Sequence, residues 1–158
     1  MRMVFQYKNE PNNNFLGTDG SYDVITLYDN GILRYEHFLF RCDMPCESKE
    51  IGPFPEAVTQ VEKILSAYAS EIERFPDFID NNFFDGSWQH FRLGERTIIV
   101  DNMMYYSEED IRMIHLYNEG EKLEKIMTSV RQTNTMVEIF CKITAVIKES
   151  SNFDHNRQ

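Results

Sequence analysis

Asp85-Gly86-Ser87-Trp88 opens the stretch WQHFRLGERTIIVDN, from Trp88 to Asn102, and echoes Asp19-Gly20-Ser21-Tyr22, which opens YDVITLYDNGILRYEHFLF, from Tyr22 to Phe40, some 66 residues earlier. Each stretch reads as a β-hairpin, rich in β-branched and aromatic residues and folded about a turn signal. In the first, Asn30-Gly31 suits a two-residue turn, because both positions need positive φ and Asn-Gly tolerates it best. That turn pairs Tyr28 with Leu33, Thr26 with Tyr35, Val24 with His37 and Tyr22 with Leu39. A slip of one residue would exchange the two faces. In the second, Gly94-Glu95 makes the turn.

Between the hairpins, residues 41–53 (RCDMPCESKEIGP) read as a loop. Pro55 sits well at a first helical position, where its missing N–H costs nothing. Val58, Val61, Leu65, Tyr68 and Ile72 then recur at spacings of three and four, one stripe of an amphipathic helix that Phe75-Pro76 ends. After the second hairpin, Ser107-Glu108-Glu109-Asp110 has the form of a capping box. The stripe Met113, Leu116, Gly120, Leu123, Met127, Val130 favours a helix running through Gly120, the alternative being a break there. A last helix, roughly Thr133 to Glu149, is apolar nearly all round and is expected to lie on the sheet. The fold expected is therefore α+β: an antiparallel sheet of about five strands, from Met1–Lys8 and the two hairpins, with three or four helices mainly on one face. Residues 1–149 form one domain on this reading, and the polar 150–158 a flexible tail.

The 158 residues carry a net charge of −10. Residues 36–91 hold eleven acidic and four basic groups, so most of the excess lies there. Such a surface repels nucleic-acid phosphates, whose binding depends on Lys and Arg, and favours a basic protein partner by steering. The first eight residues alternate in character and lack the apolar core of a secretion signal, and no run is long enough for a membrane helix. Three cysteines, Cys42, Cys46 and Cys141, do not make a disulfide framework, so a cytoplasmic setting is expected.

The chemistry on offer is sparse. His37, Cys42 and Cys46 could begin a zinc site, but no nearby Cys or His completes four ligands. Asp77, Asp80 and Asp85 flank the loop FPDFIDNNFFDGSW without the order of a calcium loop, and Asp-Asn and Asp-Gly are what turns require. Ser21 and Ser87 lack a nucleophile elbow, and the seven dispersed glycines form no phosphate-binding loop. No metal, cofactor or catalytic residue is expected. The aromatics near the second hairpin, Phe84 and Trp88 above all, together with Asp77, Asp80 and Asp85, form the candidate partner-binding patch, an apolar centre with a charged rim.

Phe75-Pro76-Asp77-Phe78-Ile79-Asp80-Asn81, then Phe84-Asp85-Gly86-Ser87-Trp88-Gln89-His90-Phe91, then Ile98-Ile99-Val100-Asp101-Asn102 resemble a pattern in small acidic bacterial α+β proteins, some of which are immunity partners of toxins. The resemblance covers about 30 of the 158 residues and brings no catalytic residue with it. It implies a protein-binding role without naming a partner; with the acidic surface, the leading expectation is a non-enzymatic cytoplasmic protein that binds another protein, neutralisation of a basic toxin being one form of it. Two other readings stand beside it: a self-associating structural protein that forms a homodimer, and a small-molecule or enzymatic domain with a pocket between sheet and helices near His37 or His90.

Overall fold

In the computed structural model, which describes residues 1–10, 20–39, 42–81, 87–118 and 120–155, the α+β class is realised as one seven-stranded sheet and four helices. The strands are β1 (Met3–Glu10), β2 (Tyr22–Tyr28), β3 (Leu33–Phe38), β4 (Glu47–Ile51), β5 (Phe78–Ile79), β6 (Trp88–Leu93) and β7 (Arg96–Asp101), in the order β4-β3-β2-β1-β6-β7-β5. Every pairing is antiparallel except that of β5 with β7. The sheet thus has two strands more than expected. One is β4, drawn from the stretch read as a loop; its sequence, ESKEI, lacks apolar alternation because it is an edge strand exposed on both faces. The other is β5, two residues long.

The second hairpin has the expected turn: Leu93 faces Arg96 across Gly94-Glu95, and Trp88 faces Asp101. The first does not. Leu27 faces Leu33, Ile25 faces Tyr35 and Asp23 faces His37, one residue away from the expected register. The Gly31 N–H donates to Tyr28 O at 2.9 Å, the Tyr28 N–H donates to Ile32 O at 3.0 Å, and Gly31 alone takes φ +85°. This is a three-residue turn with a glycine bulge, which Asn-Gly serves as well as a two-residue one. The slip turns Leu27, Leu33, Ile25 and Tyr35 toward the helices and leaves Val24, Thr26, Arg34 and Glu36 on the other face.

The helices are α1 (Pro55–Ala67), α2 (Ala69–Arg74), α3 (Glu108–Tyr117) and α4 (Leu123–His155). The helix expected over Pro55–Arg74 is divided at Tyr68 into α1 and α2. The capping box at Ser107 is present: its side chain accepts from the Asp110 N–H at 3.1 Å, and Asp110 Oδ2 accepts from the Ser107 N–H at 2.8 Å. The helix does not continue through Gly120. α3 ends at Asn118, whose side chain donates to Ile114 O at 2.8 Å and so replaces the next helical turn. α4 instead extends backward to Leu123 and forward to His155, six residues into the segment expected as a tail.

Helices and sheet share one core. Phe5, Leu27, Leu33, Phe91, Leu93, Ile98 and Val100 meet Val58 and Val61 of α1 and Met136, Ile139, Ile143 and Ile147 of α4. Phe140 of α4 seats its ring on Tyr7 at 4.6 Å and on Phe91 at 5.5 Å. Tyr106, Ile114, Ile126 and Val130 form a smaller cluster between α3 and the start of α4. The opposite sheet face carries Gln6, Lys8, Glu10, Thr26, Arg34, Trp88, His90 and Arg92, and no described helix packs on it. Gln6 Nε2 donates to the fully buried Thr26 hydroxyl there at 2.9 Å.

Candidate functional site

Strand alternation places Trp88, His90 and Arg92 on the sheet face opposite the described helices. Cross-strand pairing then sets Glu10 of β1 on one side of Trp88 and Asp101 of β7 on the other. From the parallel strand β5, Phe78 reaches the Trp88 ring edge-on, with centroids 5.8 Å apart and planes at 82°. Trp88 remains 46% exposed and Phe78 38%. Exposed aromatic side chains of this kind are enriched among the anchors of protein–protein interfaces.

The acidic residues around this pair differ in kind. Asp77 receives Arg96 Nη2 at 3.2 Å, while the same guanidinium donates to the carbonyls of Ile72 and Phe75 and so secures the end of α2. Asp80, at the end of β5, is exposed. Asp101 is buried, and burial first and the charge of Asp80 second push its carboxyl above the usual carboxylate range. Tyr106 donates its hydroxyl to Asn102 O at 2.5 Å, and burial, helped by Asp101 and Asp110, pushes its pKa up to about 12. His90 Nε2 stands 2.8 Å from Glu10 Oε2. Burial lowers the His90 pKa against the pull of Glu10, and Lys8 adds to the lowering.

Asp77, Asp80 and Trp88 therefore fall around one end of β5–β7, whereas Phe84 and Asp85 lie outside the described residues. The carboxylates directly flanking Trp88 are Glu10 and Asp101, which sequence reasoning did not single out. Asp101 was within reach, since the Gly94-Glu95 turn sets it opposite Trp88. Glu10 was not, because the β1–β6 register joins strands almost eighty residues apart. A second apolar surface lies on α3. Met113 and Leu116, members of the expected helical stripe, are exposed there beside Tyr117, with Leu116 at 64% and Tyr117 at 73%. The buried face of α3 is Ile114 and Ile111 instead.

His37 stands half-exposed with Nδ1 2.7 Å from Asp23 Oδ1, and Cys46 Sγ donates to His37 O at 3.3 Å. Among the described residues no group of three or more His, Cys, Asp or Glu side chains is arranged to hold a metal ion. Nor, among them, is any helix long and apolar enough to cross a membrane. No protein-family model matches the chain, and no curated protein matches it.

Proposed function

We propose that the chain is a non-enzymatic cytoplasmic protein that binds a basic protein partner, the role being that of an immunity protein that neutralises a toxin. The observation that carries this reading is Trp88, the one tryptophan, standing exposed on the sheet face away from the described helices, with Phe78 against its edge and a carboxylate on the strand at either side. The ring supplies rigid apolar area and a face for a cation, and Glu10 supplies charge complementary to Lys or Arg, Asp101 on the other side being buried. The net charge of −10 adds long-range attraction for such a partner.

Affinity capture from the native lysate at low and high salt, with mass spectrometry of the retained proteins, tests it. A basic protein held at low salt and released at high salt is expected, with retention falling about tenfold or more for Trp88→Ala. Retention indifferent to both salt and Trp88→Ala refutes it. The exposed stripe Met113, Leu116, Tyr117 on α3 favours a second reading, a homodimer through that helix. Light scattering decides it: a dimer that Leu116→Asp converts to monomer supports self-association, and a monomer at high concentration removes it.

A further inference from the structure

We propose that β4 is a docking edge to which an extended basic segment of the partner adds as an eighth strand. This inference rests on the reading of the partner as a basic protein and names how that partner is held. Among the described residues, β4 ends the strand order and pairs with β3 alone. The opposite edge, β5, is two residues long and offers little to pair with. β4 offers five residues, about 17 Å of strand, exposed from Glu47 to Glu50. A row of outward N–H and C=O groups of that length is what an added strand needs.

Its charges choose the occupant. Alternation sets Glu47, Lys49 and Ile51 toward the helix side and Ser48 and Glu50 toward the opposite face. Glu50 is already engaged by Arg34, whose Nε and Nη2 donate to it at 2.9 and 2.7 Å. Glu47 and, one strand in, Glu36 form no ion pair among the described residues. On the helix side a hollow of about 430 Å³, lined by Asp23, Tyr35, His37 and Glu47, opens beside the edge. A Lys or Arg side chain leaving an added strand on that side meets Glu47 and the Asp23–His37 pair. An apolar or acidic strand gains nothing from these carboxylates, so despite Lys49 on the same side the edge favours a basic segment. A second copy of the chain is disfavoured for the same reason, because each copy carries −10.

The test titrates the 15N-labelled full chain with a capped octapeptide of alternating arginine and valine, and in parallel with one of alternating glutamate and valine. Only the basic peptide is expected to shift the amide resonances of residues 47–51 and slow their hydrogen exchange. Glu47→Lys, at an exposed position whose circular dichroism should be unchanged, is expected to weaken the effect about fivefold. Trp88→Ala should leave the β4 shifts in place. Shifts confined to the surroundings of Trp88 overturn strand addition and leave the protein-binding reading standing. Absence of any shift with the basic peptide overturns both. Concentration-dependent β4 shifts without peptide overturn it in favour of a second copy.

Discussion

Asn81 fastens β5 to the rest of the molecule. Its side chain is fully buried, donates to Asp101 O at 3.0 Å and to the Thr133 hydroxyl of α4 at 2.6 Å, and its backbone carbonyl accepts from Asn102 Nδ2 at 2.9 Å. Its own Oδ1 has no hydrogen-bond partner among the described residues. Asn81→Ala removes both donors and strands a buried carbonyl, so urea denaturation should show a loss of about 2–3 kcal/mol. His90 makes a prediction in pH. Because burial lowers its pKa, the folded state holds fewer protons than the unfolded one near the usual histidine value. The stability it contributes is present above the unfolded pKa and is lost as pH falls through the folded one. Thermal melts should accordingly show wild type losing more stability than His90→Gln between about pH 7 and pH 5. The reverse order would mean that Glu10 outweighs burial at this site.

Among the elements, the two hairpin turns make a controlled pair. A Cβ on Gly31 would lie 2.7 Å from Phe54 N and 2.8 Å from Phe54 C, at φ +85°, where the entry to α1 crosses the turn. A Cβ on Gly94, at φ +61°, meets nothing within 4 Å. Gly94→Ala should cost only the backbone term, about 1 kcal/mol, and Gly31→Ala about 2–4 kcal/mol by chemical denaturation. Equal costs would mean that the Phe54 crossing yields freely. Ser107→Ala, which removes the side-chain cap of α3, should cost about 1 kcal/mol in the same assay. What the sequence disclosed and what it hid follow the same division between local and distant causes. The second hairpin, the α1 stripe and the Ser107 cap were legible because each is written within a few neighbouring residues. The Asn30-Gly31 turn was legible as a turn but not in register, since its two geometries share a sequence and tertiary burial of Leu27 and Leu33 chooses between them. β4 was invisible because an edge strand hides no face and needs no apolar period. The α3–α4 break was masked by a three-and-four spacing that survives Gly120 although Met113, Leu116 and Leu123 are exposed. Of the candidate site, Trp88 and its acidic company could be named, but Phe78 and Glu10 reach it through pairings of β5 and β1 that no local pattern records.

Across the whole molecule the division of labour is by face. α1, α4 and the main core lie on one side of the sheet, where Phe5, Phe91 and Ile98 meet Ile139 and Ile143 with almost no exposure. Truncating that side, as in Ile143→Ala, should cost about 3 kcal/mol or more. The other face carries mostly polar and charged side chains with the rings of Tyr22, Tyr28, Phe38, Phe78 and Trp88, and buries Val24, Thr26 and Tyr28, so changes at its exposed positions, such as Trp88, should alter binding far more than stability. The single tryptophan reports on this directly. At 46% exposure its emission should be red-shifted and readily quenched by acrylamide, a neutral probe that the acidic surface does not repel. Unfolding in urea should change that emission only modestly, whereas binding of a basic partner should shift it to the blue and protect it from the quencher, because an anchor ring is desolvated on docking. Protection should fade as salt is raised, in step with release of the partner. A blue-shifted, quencher-resistant emission in the free protein would place Trp88 inside the fold and transfer the binding role to the α3 stripe.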